Sequence, residues 1–227
     1  MSELKELEVI KEFVSSTIGK KYLMAVMGLV WVGFVAAHMA GNLLIFVGSD
    51  AYNLYSHALV TNKAILFAEA VMAFSLLAHV VLGVSLTLQN KKAKPLGYAE
   101  AGSKSKGASL ASKTMAIHGI IILIFIVSHL LTFKFGTVYE TTIDGVPMRD
   151  IHRLVVEVFK QPIFMLWHMI AVVLLGVHLS HGAKSIFQTL GLLHPSYDSC
   201  IRKFACGYSV IVTIGFLAQP IYVFLFA

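Results

Sequence analysis

The chain has 227 residues, of which 57% are hydrophobic and only 13% charged, with a mean hydropathy of +0.79. That much apolar surface excludes a water-soluble protein and leaves little room for a separate soluble domain. The net charge of +6 does not point to nucleic acid, because the Lys and Arg residues flank apolar runs, as they do at membrane edges.

Residues 2–15 place Leu4, Leu7, Ile10 and Phe13 at helical spacing with Glu and Lys between them. The pattern predicts an amphipathic segment, within 1–20, lying on a membrane surface or against a partner. It lacks the apolar core and small-residue cleavage site of a signal peptide, so the first span is expected to stay in the mature protein. Five apolar runs follow, over residues 21–47, 63–90, 114–135, 163–190 and 202–226, each long enough to cross a bilayer. The intervening pieces are a connecting segment at 52–62, a basic Gly/Ser/Lys-rich loop at 91–113, a loop of mixed charge at 136–162 and a turn around Pro195. The expected fold class is an all-α membrane protein. It has one domain over residues 1–227, with five transmembrane helices forming a bundle. With the N-terminus inside, inner segments carry 13 Lys and Arg residues and outer segments 5. That bias places the N-terminus in the cytoplasm and the C-terminus outside, in a multi-pass protein of the cell inner (cytoplasmic) membrane.

The first four runs each enclose a histidine: His38, His79, His129 and His178. An imidazole in hydrocarbon has no water to satisfy its nitrogens and needs a partner. At a rise of ~1.5 Å per residue, His38 and His129 fall in the outer half of the bilayer. His79 and His178 fall in the inner half. Pairing by depth gives His38 with His129 and His79 with His178. Two neutral imidazoles are suitable axial ligands for haem iron and favour electron transfer over oxygen binding. The expectation is therefore two b-type haems, stacked across the membrane in a haem-binding bundle. The two cysteines, Cys200 and Cys206, form neither CxxC nor CxxCH, which leaves covalent haem attachment and iron–sulfur ligation unsupported.

Small residues share the faces of these histidines: Gly41 after His38, Gly83 after His79 and Gly182 after His178. They leave room for a flat macrocycle, or for close helix packing. His181, one turn from His178, is a rival inner ligand and otherwise a partner for a haem propionate or quinone with Lys184. His168 is the rival outer ligand. His118 lies near the inner start of its run, suited to packing or a propionate contact. His57, His152 and His194 read as solvated loop residues. A quinone needs an apolar slot, hydrogen-bond donors and a group that handles protons. Glu69 is the one carboxylate well inside an apolar run and is the candidate for that chemistry; an interfacial carboxylate bonded between helices is the alternative. Asn42, one turn beyond His38, is a plausible hydrogen-bonding neighbour.

Four segments carry a family resemblance: HMAGN at 38–42, HVVLG at 79–83, FIVSHLLTF at 125–133 and HLSHGAKSIFQTLGLLHP at 178–195. In this order and spacing the chain resembles the membrane cytochrome b subunit of succinate dehydrogenase/fumarate reductase, in its single-chain, five-helix, two-haem form. The resemblance covers nearly the whole chain, and the last segment is its most specific part. It implies a complex with a flavoprotein that interconverts succinate and fumarate and an iron–sulfur protein that passes electrons to the membrane. This subunit would anchor both and exchange electrons with a quinone, usually menaquinone. The family's axial histidines fall on His38, His79, His129 and His178, or on His181 in the alignment that some members favour. Some two-haem members carry a glutamate two residues before the fourth-span ligand. Here that position is Gly176, or Leu179 if His181 is the ligand, so a proton path through that carboxylate is not expected. Two other readings fit intramembrane histidines. One is the cytochrome b subunit of a hydrogenase or formate dehydrogenase, and the other is a haem-free transporter that relays protons. The HLSHG…FQTLG segment argues against the first, and pairing by depth against the second.

Overall fold

A computed structural model describes residues 2–92 and 110–227; most of the basic loop at 91–113 lies outside the described residues. The structure is mostly helical, at 84%. Helix α1 (Ser2–Ser15) turns into α2 (Thr17–Asn42), which ends in a 3-10 turn, Leu43–Phe46. Helix α3 (Ser49–Thr61) and α4 (Ala64–Lys92) follow. Then come α5 (Leu110–His129) with a π-helical turn, Leu130–Lys134, a hairpin of β1 (Glu140–Ile143) and β2 (Val146–Arg149), and α6 (Ile151–Phe159). Helices α7 (Pro162–Thr189) and α8 (Asp198–Phe226) complete the chain. Five of these helices are long and apolar enough to cross a membrane: Thr17–Phe46, Ala64–Lys92, Thr114–Lys134, Pro162–Thr189 and Asp198–Phe226. The protein is a multi-pass membrane protein. Its apolar side chains at the helix surfaces, such as Leu66, Phe67, Ile120 and Ile163, suit a lipid solvent.

The bundle is organised around α7 and α2. Helix α7 packs against α8, α5 and α2, and α2 packs against α4 and α8. The most extensive packing is between α7 and α8. A Cβ built on Gly176 would lie 2.1 Å from Thr213 Oγ1, so only glycine allows these helices to meet there. Tyr208 of α8 donates its hydroxyl to the Val32 carbonyl of α2, which ties a third helix to the same contact. The α1–α2 corner also depends on a glycine. Ser16 Oγ caps α2 by accepting from Gly19 N at 3.0 Å, and a Cβ on Gly19 would run into the Phe13 carbonyl at 1.9 Å.

One end of the bundle carries a built cap, in segments that read as loops in the sequence. The 52–62 connector is part of helix α3. The 136–162 loop contains the β-hairpin and α6, so the fold is not purely all-α. Asp144 and Gly145, at φ 50° and 77°, make the tight turn that joins β1 to β2. The strands pair antiparallel from Glu140↔Arg149 to Ile143↔Val146. Arg149 then reaches back to the carbonyls of Lys134 at 3.2 Å and Thr137 at 3.0 Å, satisfying acceptors that the end of the π turn leaves open. Asp150 caps α6 through Arg153 N and accepts from Asn53 Nδ2 at 2.8 Å, while Asn53 Oδ1 accepts from His152 N at 2.9 Å. Asn53 is 2% exposed and bonded at both ends of its amide, which locks α3 to α6. Beneath them Ile45, Tyr52, Leu154, Val155, Val158, Phe159 and Val223 form one apolar cluster over the ends of α2 and α8.

The outer face of this cap carries a triad of exposed groups. Tyr139 Oη donates to Glu157 Oε2 at 2.5 Å, and Arg153 Nε donates to Glu157 Oε1 at 2.9 Å while its guanidinium covers the Tyr139 ring. The Tyr139 hydroxyl, and then Arg153, hold the Glu157 carboxyl below its ordinary value of 4.5. A depressed carboxyl contributes stability above its unfolded pKa and loses it as pH falls through the folded one. The protection factors of the α6 amides, with the intrinsic pH dependence of exchange divided out, should therefore fall as pH drops through the range below 4.5, and Glu157→Gln should abolish that acid step; an identical acid profile in the variant would refute the assignment. At the α7–α8 contact, Gly176→Ala should destabilise the bundle by about 1–3 kcal/mol. Adding Thr213→Ala should restore most of the loss, as read by thermal unfolding in detergent.

Candidate functional site

The five spans bring four histidines together in two pairs. His38 of α2 faces His129 of α5, with ring centroids 5.9 Å apart and planes at 85°. His79 of α4 faces His178 of α7, at 6.2 Å and 62°. Two imidazoles on opposite sides of one metal, with metal–nitrogen bonds of about 2.0 Å and ring radii of roughly 1.2 Å, hold their centroids about 6.4 Å apart. Both pairs stand close to that separation. The buried Nδ1 atoms of His79, His129 and His178 have no hydrogen-bond partner. An imidazole pair of this kind, buried in an apolar bundle with unmatched nitrogens, is a donor set suited to axial ligation of haem iron.

The pairs form two layers. His38 and His129 lie toward the capped end, and His79 and His178 toward the other. Gly28 of α2 lies on the His79 ring, with a built Cβ 3.7 Å from Cε1, and His38 is ten residues further along the same helix. The layers are thus separated by roughly 15 Å along α2. His181 makes no ring contact with His79; among the described residues the ring that meets His79 is that of His178. His181 and Lys184 sit half-buried beyond His178, toward the uncapped end.

Each layer is registered by a tryptophan. Trp31 Nε1 of α2 donates to Ser75 Oγ of α4 at 3.0 Å, and Trp167 Nε1 of α7 donates to Ser128 Oγ of α5 at 3.0 Å. Each serine donates in turn to a carbonyl three residues back, Met72 and Phe125. Ser75 is one turn before His79, and Ser128 is adjacent to His129. These two pins therefore fix the register of the helices that carry the rings. Neither was expected from the sequence, although an indole N–H inside an apolar run needs an acceptor, and the chain has two tryptophans.

The expected glycines take different places. Gly41 faces the Tyr55 ring of α3, where a Cβ would stand 2.6 Å from Cε1, and Gly83 faces the Met24 side chain. Nothing lies within 4 Å of a Cβ on Gly182. The glycines that touch histidine rings are on the opposite helices: Gly28 beside His79, and Gly119 beside His178 at 3.9 Å. Asn42 lies where expected. Its Nδ2 donates to the His38 carbonyl at 2.8 Å and lies 3.4 Å from His38 Nδ1, and its Oδ1 accepts from Tyr52 Oη at 2.5 Å. That contact links the capping helix α3 to the first histidine, and burial pushes the Tyr52 hydroxyl upward, holding it protonated as a donor.

Glu69, near the capped end of α4, pairs with Lys134 of the π turn. Both are exposed at the surface of the bundle. His168 is 6% exposed and stands beside His129, with centroids 5.8 Å apart. His118 Nδ1 is buried without a partner. His57 and His152 are not solvated loop residues. They lie half-buried on α3 and α6, and His152 packs against Tyr52; His194 is exposed. Cys200 and Cys206 are free and exposed.

No protein-family model, curated protein or solved structure matches this chain. If the tryptophan pins set register, Trp31→Phe and Trp167→Phe should each cost about 1 kcal/mol of stability in detergent. Ser75→Ala and Ser128→Ala should each cost a similar amount. Neutral serine variants would reduce the tryptophans to bulk packing.

Proposed function

We propose that the chain is the membrane anchor and electron-transfer subunit of a succinate:quinone oxidoreductase, a succinate dehydrogenase/fumarate reductase. It passes electrons between an iron–sulfur subunit and menaquinone through two b-type haems. The observation that carries the reading is the pair of histidine pairs: four rings from four spans, in two layers, each at the spacing of two imidazoles on one metal. The succinate assignment rests on the order and spacing of HMAGN, HVVLG, FIVSHLLTF and HLSHGAKSIFQTLGLLHP.

In this reading His38 and His129 hold the outer haem and His79 and His178 the inner one, with the N-terminus cytoplasmic. Haem, when bound, supplies one-electron carriage between the two membrane faces. The chain holds the rings in place. Trp31–Ser75 and Trp167–Ser128 fix their helices, and Gly28 and Gly119 stand beside the inner rings. The inner layer opens toward His181 and Lys184, the cationic end where the iron–sulfur and flavoprotein subunits dock. Glu69 is the proton-handling group for the quinone. Its carboxylate pairs with Lys134 across the α4–α5 interface, where a quinol hydroxyl could reach it. Gly176 faces α8 and leaves no room for a carboxylate beside the His178 ligand of α7, so a proton path by that route is absent from the reading.

The purified chain should show a b-type visible spectrum with two haems per chain. His38→Ala or His129→Ala should each leave about one haem, and His79→Ala or His178→Ala should remove the other. A haem-free spectrum would sink the haem assignment. Two haems without a co-purifying flavoprotein that oxidises succinate would move the chain to another membrane redox complex.

A further inference from the structure

We propose that His168 is the positioning residue of the outer haem, accepting the Nδ1–H of His129 on its own Nε2; this rests on the haem reading above. His168 Nδ1 lies 2.8 Å from the Phe164 carbonyl oxygen. A carbonyl only accepts, so Nδ1 carries the ring proton and Nε2 of the neutral ring is an acceptor. That Nε2 is buried and has no partner. The ring is walled in by Phe125 at 5.1 Å, Phe133 at 5.5 Å and Phe159 at 4.9 Å, all close to edge-on. The fourth neighbour is His129 at 5.8 Å.

His129 presents the complementary group. Ligation through Nε2 leaves the proton on Nδ1, which then needs an acceptor. Its Nδ1 is buried without one. The usual acceptor one turn back, the Phe125 carbonyl, already takes Ser128 Oγ at 2.9 Å. Two unmatched nitrogens, one a donor and one an acceptor, thus share one apolar chamber. A linear N–H···N bond of about 2.9 Å between two rings sets centroids roughly 5.2 Å apart, so closing it takes a shift of roughly half an ångström. Trp167 bonded to Ser128 holds α5 and α7 in the register that keeps the rings opposed. The His38 side lacks an equivalent, because the Asn42 amide nitrogen near its Nδ1 is itself a donor. The bond makes His129 the stronger electron donor of the two ligands and stabilises oxidised iron.

The test is redox titration of both haems in the detergent-purified full chain, with electron paramagnetic resonance of the oxidised state. His168→Phe removes the acceptor and suits an aromatic chamber. Both haems should stay bound, and the outer haem should become easier to reduce by on the order of tenfold, ~59 mV for one electron. Its resonance signal should shift while the inner haem stays unchanged. His168→Gln, which keeps an acceptor oxygen, should return the potential toward that of the parent. If His168→Phe does not fold, His168→Met supplies the apolar comparison. Two haems with an unmoved outer potential in the apolar variant overturn this inference alone. Loss of the outer haem from that variant, with His38→Ala retaining it, also overturns it and makes His168 a ligand. A haem-free parent chain overturns both this inference and the functional reading.

Discussion

Polar nitrogens in an apolar bundle have nowhere to turn except to one another. That constraint governs this protein more than any single packing contact. In water a serine, an indole or an imidazole is satisfied without regard to its neighbours; in hydrocarbon each needs a partner on an adjacent helix or leaves a costly orphan. Here two indoles found serines, and each serine found a carbonyl on its own helix. The imidazoles found one another but not full hydrogen bonding. The satisfied pairs make the scaffold, and the unsatisfied ones mark where chemistry belongs.

Much of this was legible because the membrane simplifies the code. Long apolar runs gave the five spans to within a few residues, and counting residues from the charged edges put the four histidines in two layers. Residue spacing displays only the faces of one helix at a time. It therefore points to Gly41, Gly83 and Gly182, which follow the histidines on their own helices. The glycines that touch rings, Gly28 and Gly119, come from across the interface. The cap was missed for a different reason. Helices α3 and α6 are short and only half apolar, and their positions are set by Asn53 and Asp150, polar residues from distant parts of the chain. The Asp144–Gly145 turn was a local signal, visible in the sequence and passed over among mixed charges. The π turn after His129 follows no pattern that spacing alone displays.

The two ends of the bundle are built differently. The capped end has a closed apolar cluster, a locked helix pair and a hydrogen-bonded path from Tyr52 through Asn42 to the backbone of His38. The histidine layer beneath it is shielded from above. The opposite end has no comparable lid among the described residues, and His181 and Lys184 stand there half-buried. Glu69 and Lys134 face outward at the capped end, on the side of the bundle.

Helices α2 and α7 each run through both histidine layers without a break. The distance between layers is therefore set by the rise of two continuous helices, tied by Tyr208 and Gly176 to a third. A bilayer that thins or thickens changes how far the bundle leans, because tilting is the cheap response of a helix to mismatch. Leaning does not alter a length measured along the helix itself. The span between the two layers is thus a fixed ruler, independent of the membrane in which the protein sits.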